Sequence, residues 1–200
     1  MIVINVEDLS LAFGTKQILD GISFALQDND RLGIIGVNGC GKSTLFKLIS
    51  GELSAERGNV YISKDKTVGI LHQDDAFCDF SDDQNESSAL EIMYHSFPEL
   101  LKAEKRLAEL ESKLESGDAR ITQEYTALNE RFIANGGLEF RARCASTLLK
   151  MGFDENMQNR PISEFSGGQR TRLALSRELC REPDILMLDE PTNHLDMETL

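Results

Sequence analysis

The chain has no apolar run near the roughly 20 residues needed to cross a bilayer, and no signal-peptide pattern opens it. Cysteine is sparse and scattered. Cys40, Cys78, Cys144 and Cys180 form no C-x-x-C pair, which argues against zinc and disulfide frameworks and for a reduced, cytoplasmic protein. Basic residues are in deficit: Lys and Arg number 21 against 34 Asp and Glu, a net charge of −13. That balance argues against a broad basic face for nonspecific nucleic-acid binding and leaves room for a local basic patch. Two hundred residues with 40% apolar content suffice for a sizeable core, in one domain or one domain with a subdomain.

Chemistry begins at Gly36-Val37-Asn38-Gly39-Cys40-Gly41-Lys42-Ser43-Thr44, a G-x-x-x-x-G-K-S pattern. The apolar run Leu32–Ile35 before it predicts a buried strand, and Thr44–Ser50 after it has helical spacing ending at the capping residue Gly51. Strand, glycine loop and helix in that order let backbone N–H groups converge on a polyphosphate, helped by the helix dipole. Gly36, Gly39 and Gly41 permit close backbone approach, Lys42 reaches the β- and γ-phosphates, and the Ser43 hydroxyl is a Mg²⁺ ligand.

Upstream, Met1–Val6 and the alternating Ile22, Phe24 and Leu26 predict strands. In the loop expected between them, Phe13 is either a purine-stacking aromatic or a core residue at a strand end. Val60–Ile62 and Val68–Leu71 predict two further strands, and the acidic stretch after Gln73 reads as solvated loop. A helical signal runs over Ala89–His95. Leu100, Ala103, Leu107, Leu110 and Leu114, then Ile121, Tyr125, Leu128 and Phe132, form two apolar seams separated by Ser116-Gly117-Asp118. Those seams predict an antiparallel helical hairpin zipped to itself, its first helix covering about Glu99–Glu115. Residues 137–151 predict another helix, with Leu138, Ala142, Ala145, Leu148 and Leu149 on one face.

A second cluster follows. Phe165-Ser166-Gly167-Gly168-Gln169 opens a helix with Ser166 as N-cap, a second seat for an anion. Asp184–Glu190 is an apolar strand ending in two carboxylates, with Asp189 at the C-terminal end, where ligands bind in open α/β sheets.

In that order, Gly36–Thr44, Gln73, Phe165–Gln169, Ile185–Glu190 and Asn193–Asp196 resemble the motifs of an ATP-binding-cassette (ABC) ATPase domain, over essentially the whole chain. Phe165 stands where the family's L-S-G-G-Q signature has leucine. The resemblance implies an α/β fold. Its core is a P-loop ATPase with a mixed sheet flanked by helices, an antiparallel β subdomain, and a helical subdomain carrying an inserted helical hairpin. The expected division is a core of residues 1–73 and 158–200, truncated at its C-terminal side, and a helical subdomain of 74–157 with an arm-like hairpin at about 97–136.

By position, the resemblance implies ATP and Mg²⁺ as cofactors. Phe13, Gly36, Asn38, Gly39, Cys40, Gly41, Lys42, Ser43 and Thr44 would bind the nucleotide. Ser43, Gln73 and Asp189 would hold the metal, Asp189 through water. Glu190 would polarise the attacking water, with Gln73 beside it. Ser166, Gly167, Gly168 and Gln169 would contact the nucleotide of an opposing cassette. Glu190–Asp196 and the hairpin's position resemble subfamily F, whose members carry two cassettes in one chain and act on the ribosome (rRNA and tRNA) as translation factors or antibiotic-protection proteins. The alternative is the ATP-binding subunit of a membrane transporter. The family also has a switch histidine beyond the strand that ends in Asp189 and Glu190, and none of His72, His95 and His194 stands at its place. The expectation is therefore an N-terminal fragment whose partner is a second cassette of the full-length chain. Alone, it would pair at most weakly with itself and be nearly inactive as an ATPase.

Overall fold

The structure, a computed structural model, describes residues 1–72 and 86–189. These fall into two units: residues 1–72 with 183–189, and residues 86–182.

The first unit is built on β1 (Ile2–Phe13) and β2 (Lys16–Gln27), an antiparallel hairpin turning at Gly14 with φ 62°. Both strands run longer than their apolar patterns suggest, and the loop expected at Leu11–Lys16 is strand and tight turn. β1 is central because β3 (Arg57–Ile62) pairs antiparallel along its other edge. Its inward positions change parity, with Ile4 and Val6 buried and then Leu9 and Leu11. The change occurs at a bulge where Asp8 has φ 50° and its N–H donates to Ser23 Oγ at 2.8 Å. Gly58 faces that bulge so closely that a Cβ there would lie 2.4 Å from the Glu7 and Asp8 carbonyl oxygens.

Helix α1 (Lys42–Ser50) buries Leu45, Phe46, Leu48 and Ile49 in the same core as Ile4, Val6, Leu9 and Leu19. Met187 joins that core from β5 (Ile185–Leu188), which pairs in parallel with β4 (Val68–Leu71). Just before β5, Asp184 accepts from Thr67 N at 2.9 Å, Thr67 Oγ1 at 2.8 Å and Lys66 Nζ at 3.1 Å. These bonds, the Thr67 amide's first, hold its carboxyl down at about 2.

The strand expected at Leu32–Ile35 is absent. Ile35 is 98% exposed and Val37 77%, and the segment joins no ladder among the described residues. A parallel strand needs neighbours for its backbone groups, and apolar content does not supply them.

In the second unit, α2 (Ala89–Tyr94) starts at a capping box between Ser88 and Glu91. Next come α3 (Pro98–Glu111) and α4 (Ala119–Ala134), joined through a short 3₁₀ turn at Leu114–Ser116, Gly117 in the left-handed region, and the N-cap Asp118. The expected hairpin is there, with α3 a turn shorter than its seam suggested. Leu100, Leu107 and Phe132 form the buried seam, joined by half-buried Ala103, Tyr125 and Leu128. Arg106 ties the two helices by donating to Glu124 Oε1 from Nε at 3.0 Å and Nη2 at 2.6 Å.

Helix α5 (Phe140–Lys150) starts later than expected, and its inward face shares Leu148 with the expected one but is centred on Phe140 and Cys144. Phe140, Cys144 and Leu148 are buried, while Leu138 and Leu149 are exposed. Helical spacing fits both stripes, and packing against α2 and α7 selects one. After α6 (Glu155–Gln158) comes α7 (Gly167–Cys180).

Candidate functional site

The glycine loop is shaped by its own lysine. Lys42 Nζ donates to the carbonyls of Gly36 at 3.0 Å and Val37 at 3.3 Å, drawing residues 36–42 into a closed curl. Gly39 and Gly41 take φ 77° and 101°, conformations that a side chain disfavours. Gly41 is further constrained, since a Cβ there would meet Ile18 Cγ2 at 2.8 Å and Leu19 Cδ2 at 3.2 Å. The loop is thus seated on the start of β2.

Gly41 also caps α1 without a side-chain acceptor, and no acidic residue stands in the helix's first turn. The first amides, Ser43 and Thr44 among them, meet no side-chain acceptor at this cap, and no carboxylate of the first turn offsets the positive end of the dipole. An anion of the phosphate class fits that donor set, and the Ser43 hydroxyl and Lys42 ammonium lie at the same helix start.

Phe13 ends β1, pairs with Lys16 across the hairpin turn, and is 56% exposed. Its exposure removes the core-residue reading. Ile18, on which Gly41 rests, lies two residues from that pairing partner, so the exposed ring and the glycine loop share one end of the unit. Asp189 follows β5, its N–H donating to the Leu71 carbonyl at 3.0 Å, which places its side chain at the C-terminal edge of the parallel pair. Gln73 and Glu190, and the stretch 193–196, lie outside the described residues.

The signature residues belong to the other unit. Ser166 and Gln169 form a capping box: Gln169 N donates to Ser166 Oγ at 3.3 Å and Ser166 N to Gln169 Oε1 at 2.9 Å. Part of the expected anion seat therefore serves the helix itself, while the Gly167 and Gly168 amides and the Ser166 hydroxyl proton stay outside the box. Phe165 anchors the turn, 6% exposed and stacked on Phe153 at 5.5 Å between ring centroids. Arg170 Nε donates back to the Phe165 carbonyl at 3.3 Å.

Sequence reading missed one feature of this unit. Arg141 on α5 grips Glu104 on α3 with both prongs, Nε to Oε1 at 2.9 Å and Nη2 to Oε2 at 2.5 Å, and its guanidinium lies 4.4 Å from the centre of the Tyr94 ring. The Arg141 bond holds the Glu104 carboxyl below its ordinary range, and Glu104 in turn raises Arg141. The partners are 37 residues apart, so no local spacing signals the pair.

The geometry so far is a phosphate-type loop, an exposed aromatic, a carboxylate at a strand end and a capped Ser-Gly-Gly turn. Residues 19–193 match the ABC transporter family. The chain belongs to that family.

As an ATP-binding cassette it is 37% identical over its whole length to the putative ATP-binding protein YdiF of Bacillus subtilis, covering 31% of that protein. It is 32% identical over 96% of its length to the probable ATP-binding protein YbiT of Escherichia coli O157:H7, covering 35%. The chain thus spans about a third of the length of these relatives. Among solved structures, cbiO1 of Clostridium perfringens, part of the ABC transporter complex cbiONQ, aligns with a TM-score of 0.62 at 25% identity, over 99% of this chain and 69% of that one. A nucleotide-free ATP-binding cassette from an ABC transporter aligns with a TM-score of 0.62 at 22% identity, over 100% of this chain and 73% of that one, a likeness of fold alone. The ABC ATPase fold expected from the motifs is the fold observed.

Proposed function

We propose that the chain is the first cassette of an ABC-F type protein, in which ATP-driven closure of two cassettes controls engagement with the ribosome in translation or antibiotic protection. The observation that carries this reading is the α3–α4 hairpin. It is inserted between β4 and the Ser166 turn, zipped by its own apolar seam, and pinned at its base by Glu104 and Arg141. A self-contained pair of helices in that place fits the arm that the subfamily resemblance implies. Relatives about three times longer leave room for a second cassette in the same chain. Likeness to transporter cassettes favours the other reading, a subunit that energises a membrane partner.

In either protein the residues have the same work. Phe13 stacks on the adenine, and the Gly39–Thr44 amides with the uncapped end of α1 take the phosphates. The Lys42 ammonium moves from the loop carbonyls to the β- and γ-phosphate oxygens, exchanging neutral acceptors for charged ones. Ser43 and Gln73, with Asp189 through water, would hold Mg²⁺, and the ion would supply positive charge against the transferred phosphoryl group. Glu190 orients the attacking water and accepts its proton. Ser166 and Gly168 reach the nucleotide on the opposing cassette, so each cassette alone supplies two half-sites. A lone 200-residue chain is then a poor ATPase, slower than the two-cassette protein by a factor of about 10³ in single turnover.

The test is fractionation of the full-length protein carrying Glu190→Gln, which keeps ATP and stalls hydrolysis because an amide cannot take the proton. With ATP present, the expected result is retention on ribosomal particles. Recovery with an integral-membrane partner instead would overturn the ribosomal reading in favour of the transporter one.

A further inference from the structure

The ATP chemistry uses neither Cys144 nor Cys180. Both are buried, Cys144 0% and Cys180 1% exposed, and their sulfurs lie 3.7 Å apart in hydrogen-bond contact between α5 and the last residue of α7. A buried cysteine by itself is most simply a small apolar side chain. Two observations take this pair beyond that. The sulfurs face each other directly, and bonding them requires an approach of only about 1.7 Å, to the disulfide length of about 2.05 Å. Beside Cys180 lies Arg143, whose Nη1 donates to Glu182 at 3.2 Å while its buried Nε has no hydrogen-bond partner among the described residues. Neutral thiols leave that donor unanswered, whereas a thiolate at Cys180 would give it an acceptor.

We propose that Cys144 and Cys180 are a peroxide-oxidisable dithiol that closes a reversible disulfide between α5 and α7. The ionisation pattern assigns the roles. The hydrogen bond with Cys144 pulls the Cys180 thiol below its ordinary range against the effect of burial, assisted by Thr147 and Arg143. The same bond, with burial, pushes Cys144 up, so Cys144 keeps its proton. Cys180 is thus the attacking thiolate and Cys144 the resolving thiol. Access comes through the end of α7, where Cys180 is followed by partly exposed Arg181 and by Glu182 with φ 52°. Helix ends of this kind open more readily than helix interiors.

The oxidant is a hydroperoxide. The Cys180 thiolate attacks the terminal peroxide oxygen, an S–O bond forms as the O–O bond breaks, and the leaving oxygen takes up a proton as water or alcohol. Cys144 then gives up its proton, its sulfur attacks the Cys180 sulfenic sulfur, and hydroxide leaves as water with that proton. Two thiols lose two electrons in all, and the peroxide gains them. The product closes a loop of 36 residues and ties the C-terminal end of the helix whose other end carries Ser166–Gln169.

The test uses the 200-residue chain with Cys40→Ser and Cys78→Ser, treated with hydrogen peroxide, alkylated and digested for mass spectrometry. The expected product is one cross-linked peptide pair joining residues 144 and 180, two hydrogen masses lighter than the free peptides and released by dithiothreitol. Oxidation should raise the thermal midpoint by roughly 5 °C, because the closed loop restricts the unfolded chain. Arg143→Gln should slow the reaction by roughly tenfold by destabilising the thiolate. Cys144→Ser should leave a sulfenic acid at Cys180 that a cyclic 1,3-dione traps. Thiols that stay reduced, or separate oxidation of each to a sulfonic acid, would overturn the proposal. The unsubstituted pair carries the mass readout, so misfolding of a variant does not decide the result.

Discussion

The grip of Arg141 on Glu104 fixes the base of the α3–α4 hairpin, and its strength can be worked out from its surroundings. The side chains are 44% and 39% exposed, so solvent screens the pair and a single surface contact of this kind contributes about 0.2–1 kcal/mol. Two features place it at the top of that range. The contact is two-pronged, at 2.9 and 2.5 Å, and the guanidinium lies 4.4 Å over Tyr94 and 5.3 Å over Phe140, which restrains it before Glu104 is engaged. The coupling should therefore be about 1 kcal/mol. A double-mutant cycle of Glu104→Ala and Arg141→Ala, with urea unfolding followed by far-UV circular dichroism, measures it free of either side chain's own packing. Arg141→Lys keeps the charge and loses the fork, and should forfeit most of the coupling. A coupling below about 0.3 kcal/mol, or lysine serving as well as arginine, would show that the hairpin base is held by Phe140, Phe132 and Leu107 alone.

Lys42→Ala should weaken Mg-ATP binding about tenfold or more, the worth of a charge-assisted phosphate contact, and titration calorimetry on both proteins would remove Lys42 from the site if the affinities were equal. Gly41→Ala forces a Cβ to within 2.8 Å of Ile18 at φ 101° and should cost roughly 1–3 kcal/mol in chemical denaturation; unchanged stability would mean the loop is not seated on β2. Asp184 has its folded-state pKa lowered to about 2, so the stability it contributes is complete above its unfolded value of 3.8 and is lost as pH falls from there toward 2. Asp184→Asn should flatten acid unfolding in that window, and an unchanged acid limb would show that Lys66 and Thr67 do not stabilise the carboxylate.

What the sequence determined alone was local. The glycine loop, the Ser166 cap, the hairpin seams and the strand before Asp189 each depend on residues within a few positions of one another, where spacing and backbone preference decide the conformation. The tertiary structure decided what depends on partners far along the chain. It buried Phe140 and Cys144 of α5 beside the expected Leu148 and left Leu138 and Leu149 exposed, and it left Leu32–Ile35 outside any ladder among the described residues. It exposed Phe13 at a hairpin tip, and it brought Cys144 to Cys180 and Glu104 to Arg141 across 36 and 37 residues. An apolar pattern states only that a face will be buried. Which face, and against what, is a property of the packed arrangement, because burial and pairing are energies of contact between elements that no local window contains.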